Sequence, residues 1–366
     1  MSKLDSYFLK FTDKLAYLDL KQTASYGLLN NIPLPVYMED MSEKIISGSM
    51  ENKIDLETIL EAMIINIGVD KDFKYATDYI EVLEKYVKNI GGFAARKALE
   101  NSEQKNDKAL LLARGGYIIN SLDKYNAYNY ARLLWPKSFE NIKDYKDEFV
   151  KEALIILQNI ISQDEDFPLS YYELGNIYTN LGQYVKARSY FDNALVRTED
   201  IEAKDEIRRQ INLIDDNAEI EESLYYIGKG NNDQAIKKLT KLLSNKSRAD
   251  AYYYLGVAYQ NIGQYENSIM AFQNSLDKGG EFRELFNDYA VSLYASKREF
   301  EALDVISQGL EVFPEDPRMI YNSIQINLSM GNLSKAKKDI DNLLTYDDLS
   351  EELINNLMIL KEQFKI

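Results

Sequence analysis

The chain has 366 residues, 45% of them hydrophobic and 28% charged, with 59 acidic against 43 basic side chains and a formal charge of −16. That balance disfavours nucleic acid and anionic membrane as partners, because both are gripped by an excess of Lys and Arg. Cysteine and histidine are both absent. Disulfides, zinc sites built from those ligands, and Cys–His or Ser–His–Asp nucleophile systems are thereby excluded; carboxylate-only metal sites and carboxylate acid–base chemistry stay open.

Charges recur every few residues through Met1–Gln22, so no apolar core of a signal peptide is expected. No stretch approaches the roughly 18 uncharged apolar residues of a membrane span. The cytoplasm is the expected location. Leu4, Phe8, Phe11, Leu15 and Leu18 recur at helical spacing, so Leu4–Leu29 reads as an amphipathic helix, stopped by the breaker Asn30–Pro35. Asp55–Gly68 and Asp72–Ile90 read as a helical hairpin, with Ala76, Tyr79, Ile80 and Leu83 on the apolar face of its second arm. Residues 1–104 are read as a helical N-terminal region, with degenerate repeats as one form it can take, and the polar run Glu100–Lys108 marks its end. Asp107–Leu122 and Asp123–Trp135 are both helical candidates, Pro136 ends the second, and Ser138–Asp147 is a loop or a short helix.

From there one pattern recurs. Ser170–Leu195 and Ala251–Leu276 share YY-x-LG-x-x-Y-x-N-x-GQY, then Phe191 or Phe272, then Leu195 or Leu276. Tyr289-Ala290 lies 34 residues beyond Leu255-Gly256, followed by Ala302, Ile306, Leu310 and Pro314. Ala336, with Ile340 and Leu344 after it, lies 34 beyond Ala302. A poorer copy has Gly230 at its turn and Ala235, Leu239 and Leu243 on its second helix, and Asp200–Asp216 before it reads as one inserted helix. Upstream, Ala153, Leu157 and Ile161 carry the second-helix pattern one step of 34 before Ala187. Each copy is two antiparallel helices: Gly175 and Gly256 let the paired helix approach, and Tyr178, Phe191, Tyr259 and Phe272 fill the space left. One hairpin cannot bury both faces, so the hairpins stack.

The LG pairs Leu174-Gly175 and Leu255-Gly256, the tyrosines Tyr178 and Tyr259, and Ala187 and Ala194 in a 34-residue period resemble the tetratricopeptide repeat. The resemblance implies an all-α, right-handed helical-hairpin solenoid over 105–348, preceded by the N-terminal region 1–104 and closed by Leu349–Phe364 as a capping helix for residues 349–366. It further implies that the first helix of each repeat lines a concave groove. The groove positions are Tyr172, Asn176, Thr179 and Asn180, then Tyr253, Val257, Gln260 and Asn261, then Asn287, Val291 and Tyr294, and last Tyr321 and Gln325. Amides and phenols there suit an extended peptide, since an Asn side chain can both donate to and accept from a backbone. Arg318 is read as the one cation on that face, with Asp250 and Glu284 in the equivalent places of the two preceding copies.

No phosphate-binding glycine loop is present. Gly91-Gly92 and Gly115-Gly116 read as turn or helix-packing glycines, and Asp215-Asp216 and Asp347-Asp348 as helix-start acids without calcium-loop spacing. No cofactor, metal or catalytic residue is expected. The sequence points to a scaffold for a protein or peptide partner, with no bearing on oligomeric state. A peptide-sensing regulator of the quorum-sensing receptor or Rap type, and an enzyme using carboxylates of the N-terminal region, are the alternatives.

Overall fold

A computed structural model describes residues 3–18, 27–30, 32–40, 55–102, 106–140 and 144–366. Among these the structure is helical apart from one antiparallel pair of short strands, and the chain divides into two compact units, Met1–Asn212 and Leu213–Ile366.

In the first unit, α1 (Lys3–Phe8) runs into a 3-10 turn, Leu9–Lys14. Then β1 (Leu15–Leu18) pairs with β2 (Leu34–Tyr37), Leu15 opposite Tyr37 and Leu18 opposite Leu34. The single helix expected over Leu4–Leu29 is therefore corrected beyond Phe8; residues 19–26 of it lie outside the described residues. Tertiary packing overrides the helical spacing: Leu34, Val36 and Tyr37 are buried, and Pro35 is tolerated in a two-stranded ribbon that needs no donor on its outer edge.

Asp55 caps α2 (Leu56–Val69) by accepting from Thr58 N, and almost every residue of that helix from Ile59 onward is buried. The second arm expected to reach Ile90 stops earlier. It forms α3 (Ala76–Tyr86), and a new helix, α4 (Ile90–Asn101), starts where the Asn89 side chain accepts from Gly92 N. Both α2 and α4 pack on α5 (Asn106–Ile119). Gly68 and Gly115 permit the α2–α5 crossing: a Cβ on either would stand 2.1 or 2.2 Å from a backbone oxygen of the other helix. Gly115-Gly116 is thus a helix-packing pair, the second of the two readings open to it. Arg114 of α5 reaches back to Asp5 of α1 at 2.6 Å and stacks over Phe8, tying the N-terminal segment to the helices.

The hairpins follow. α6 (Lys124–Lys137) pairs with α7 (Lys146–Gln163), and α8 (Pro168–Asn180) with α9 (Tyr184–Arg197). Of the two helices that precede the one carrying Ala153, α6 is its hairpin partner. α10 (Ile201–Gly228) is a single helix within which the division between the units falls. Asp215 and Asp216 lie in its middle, so they are not helix-start acids.

The second unit continues with α11 (Asn232–Leu243), α12 (Ala249–Asn261), α13 (Tyr265–Asp277), α14 (Arg283–Ala295), α15 (Glu299–Val312), α16 (Pro317–Ser329), α17 (Leu333–Leu343) and α18 (Glu351–Phe364). α12 pairs with α13, α14 with α15, and α16 with α17. Gly182, Gly230, Gly263 and Gly331 each take a positive φ of 70–80° at a hairpin turn, where a side chain is disfavoured; Lys297 bears that strain in the α14–α15 turn, at φ 60°. Ala187, Ala235, Ala302 and Ala336 are fully buried on second helices, and Phe191 and Phe272 lie against Gly175 and Gly256. Each such ring, removed from water, contributes about 2–3 kcal/mol. α18 starts 34 residues after α16, one period on. Its Leu353, Leu357, Leu360 and Phe364 cover an apolar cluster of Tyr321, Ile324, Leu328, Ile340, Leu343 and Leu344.

Candidate functional site

The anticipated groove residues sit on the first helices α8, α12, α14 and α16, but many of their polar atoms are already engaged. Between successive first helices runs a line of hydrogen bonds at one repeat position. In the first unit, Tyr128 of α6 donates to Glu173 of α8 at 3.3 Å, and Tyr172 of α8 donates to Glu206 of α10 at 3.4 Å. In the second, the Tyr253 hydroxyl donates to Asp288 Oδ2 at 2.8 Å, and Asn322 Nδ2 of α16 donates to Asn287 Oδ1 at 2.8 Å. Gln260 adds two donor contacts across the same interface, to Asp288 O and Ser292 Oγ, both at 2.9 Å.

The remaining positions divide by where their atoms go. Thr179 Oγ1 and Asn180 Nδ2 donate back to their own helix, to Gly175 O and Asn176 O. Asn261 donates to Asn232 at 3.2 Å, and Gln325 to the Tyr321 hydroxyl at 3.2 Å. Tyr321 packs under α18, Val257 lies partly buried against the α14 core, and Val291 and Tyr294 are exposed. Asn176 bonds to Tyr172 and Glu173.

In the second unit Tyr253 and Asn287 come together in one open cavity of about 830 Å³. Its walls are Tyr253 of α12, Arg283, Glu284, Asn287 and Asp288 at the start of α14, Asp316, Pro317 and Arg318 at the start of α16, and residues from Asp348 to Asn356 leading into α18. Gln260, Asn261, Tyr294, Tyr321 and Gln325 lie outside this lining. Asp316 caps α16 through Met319 N at 2.9 Å, and Ser350 caps α18 through Leu353 N at 3.3 Å, so two of the three helix N-termini at the cavity are already satisfied. The reading of Arg318 as the one cation is corrected: Arg283 lines the same cavity, its guanidinium 3.7 Å from Asp316 and stacked over Phe313. Five carboxylates face these two arginines.

Burial pushes the Asp288 carboxyl up, helped by Glu284 and opposed by the Tyr253 hydroxyl and Arg318. Burial, with Asp288 beside it, drives the Tyr253 phenol well above its ordinary range. The equivalent Glu173 in the first unit behaves alike: burial raises it against hydrogen bonds from Asn176, Trp135 and Tyr128 and the charge of Arg132. The sequence reading missed Glu173, Asp288 and the α18 wall. Glu173 and Asp288 directly follow the marked groove positions Tyr172 and Asn287; that shared register was the available signal. No local pattern announced that Asp348–Asn356 folds back to the groove.

Stacked helical hairpins with a polar face on their first helices define a helical-repeat protein. The tetratricopeptide repeat family matches residues 168–200 and again 220–284, so the chain carries tetratricopeptide repeats over those segments. No curated protein matches it in sequence. Among solved structures, MamA (residues 41 to the end) from Desulfovibrio magneticus RS-1 is 20% identical, with 51% of this chain and 96% of that one covered and a TM-score of 0.34. PilW, a type IV pilus biogenesis factor, is 16% identical over 62% and 98% of the two chains, TM-score 0.42. YrrB, described as a TPR protein with an unusual peptide-binding site, is 16% identical over 57% and 96%, TM-score 0.36. Among the described residues no helix is long and apolar enough to cross a membrane.

Proposed function

We propose that the protein is a binding module, not a catalyst, and that the cavity of the second unit takes an extended peptide segment of a protein partner. The supporting observation is the shape: the starts of α14 and α16, the Tyr253 ring and the approach to α18 line one open space of about 830 Å³, within the roughly 300–1,000 Å³ range of ligand pockets. Asn356 offers an amide that can pair with a peptide backbone, Asn287 keeps one amide hydrogen besides the one it gives to Arg283 O, and Tyr253 offers an aromatic wall. This narrows the groove read from sequence. Thr179, Asn180, Gln260 and Asn261 lie away from this cavity, and of the groove positions only Tyr253 and Asn287 belong to its lining. α18 serves both as the cover of the last hairpin and as a wall of the site.

A displayed random-peptide library selected on the full chain tests this. Enriched peptides should bind in fluorescence anisotropy and lose at least tenfold in affinity on Asn287→Trp, which fills the cavity from its floor. No enrichment, or peptides indifferent to Asn287→Trp, would refute the reading.

A further inference from the structure

The cavity carries an electrostatic signature as well as a shape. Its lining holds Glu284, Asp288, Asp316, Asp348 and Glu352 against Arg283 and Arg318. Two of the five acids have structural work: Asp316 caps α16 and lies near Arg283, and Asp288 accepts from Tyr253. Glu284, Asp348 and Glu352 have neither an ion pair nor a hydrogen bond among the described residues. They come from two different walls, α14 and the approach to α18, and face one space. Helix-start acids are ordinary, because they complement the helix dipole. Acids from two separate segments lining one side of a cavity, with Asp288 held in a dehydrated place among them, are a different arrangement. Burial raises the Asp288 carboxyl, and the neighbouring Glu284 adds to the rise. The two arginines do not balance the acids: Arg283 is drawn towards Asp316 and Phe313, which leaves Arg318 to face the rest.

Resting on the reading of this cavity as a peptide site, we propose that its ligand is a basic segment, with Lys or Arg side chains directed at Glu284, Asp348 and Glu352 while its backbone passes Asn287 and Asn356. The partner is thus a protein with an exposed lysine- or arginine-bearing stretch. Three exposed carboxylates from two segments, beside the part-buried Asp288, favour a cation and oppose an anion at the same place, so charge supplies both selection and on-rate.

Three fluorescein-labelled twelve-residue peptides test this on the full chain: one with four lysines among alanine, serine and tyrosine, one with those lysines replaced by glutamate, and one with them acetylated. The lysine peptide should bind at least tenfold tighter than the other two and weaken steeply with added salt. Glu284→Lys/Glu352→Lys should cost it at least tenfold. Asp147→Lys/Glu148→Lys, the same charge change on α7, should cost less than threefold; it separates the cavity from the general charge of the chain. Equal binding of the three peptides, or equal loss in both variants, overturns the proposal. Circular dichroism checks that the variants fold, and the acetylated peptide needs no variant at all. If library-selected peptides engage the cavity through Asn287 but are neutral or acidic, the charge assignment falls and the peptide site stands; if none engages it, both fall.

Discussion

Gly256 is where the repeat geometry is most sharply exposed to a single methyl group. Its α-carbon on α12 lies under the Phe272 ring of α13, and a Cβ there would stand 2.5 Å from Phe272 Cδ1 and Cε1. Carbon atoms rest at about 3.5–4.0 Å, so the ring must withdraw by about 1 Å or the helices must part. The ring has little room to do so: Phe272 is fully buried, with Tyr253 and Tyr289 at centroid distances of 5.8 and 6.1 Å. Overpacking of this kind costs about 1–3 kcal/mol, while replacing glycine by alanine inside a helix returns about 1 kcal/mol. Gly256→Ala should therefore destabilise the second unit by up to about 2 kcal/mol, against the sign of the ordinary helix substitution. Phe272→Leu removes the obstructing edge, so the two changes together should be milder than their sum by about 1 kcal/mol or more. Repeat arrays do not unfold as one two-state body, so the assay is native-state hydrogen exchange resolved to the amides of α12 and α13. A Gly256→Ala protein as protected as the parent, or strict additivity with Phe272→Leu, would refute this packing.

Three further outcomes follow from the structure. Because the folded chain holds the Glu173 carboxyl above its ordinary range, the parent binds a proton there that its unfolded form has released, and it gains stability as pH falls through the raised value towards the unfolded one. Glu173→Gln keeps an acceptor without the buried charge; it should be more stable at neutral pH by on the order of 1 kcal/mol, an advantage that shrinks on acidification, read by urea melts on the single Trp, Trp135, 3.3 Å from Glu173. A constant advantage from pH 7 to pH 4 would mean that the carboxyl is not perturbed. Deleting Leu349–Ile366 uncovers Tyr321, Ile324, Leu343 and Leu344 and should drive self-association in analytical ultracentrifugation; a monomeric, equally stable product would contradict the covering role of α18. Peptides ending in a free acidic C-terminus should bind no better than their amides, and a preference above about tenfold, roughly 1.4 kcal/mol, would contradict the acidic character given to the cavity.

What was legible in the sequence tracks how local the cause is. The hairpins could be read because their determinants repeat: glycine at the turn, glycine or alanine at the crossing, an aromatic three or four residues along, all in a period of 34. The β1–β2 ribbon could not, because Leu15 and Leu18 satisfy a helix pattern equally well and only pairing with Leu34–Tyr37, some twenty residues on, decides between them. The continuity of α10 was hidden because Asp215-Asp216 looks like a start, yet nothing in Ile201–Gly228 breaks the helix. Of the proposed site, register alone placed Tyr253 on α12 and Asn287 on α14. The further step, that Arg283, Glu284 and Asp348–Asn356 share a space with them, depends on how α18 returns, and no local spacing encodes that.

The hydrogen bonds between first helices change what a groove residue is. A phenol or amide on that face has two competing uses, holding the next repeat or holding a ligand, and a donor hydrogen spent on one is withheld from the other. Tyr253 and Gln260 spend theirs on Asp288 and Ser292, so their polar atoms are poor places to look for partner contacts. What they supply is rigidity. With its hydroxyl held at 2.8 Å by Asp288 and its ring against Phe272 and Phe282, the Tyr253 side chain has lost its rotamer freedom on folding. A segment seated beside it would not have to meet that entropy cost again, roughly 0.5–1.5 kcal/mol for each side chain already immobilised. The same bonds hold the adjacent residues Asn287 and Asp288 at fixed positions on α14. In this chain the stacking of the repeats and the preparation of the cavity are therefore one set of contacts: Tyr253→Phe, which deletes a single hydroxyl, should both loosen the α12–α14 interface and leave Asp288 without its neutralising donor.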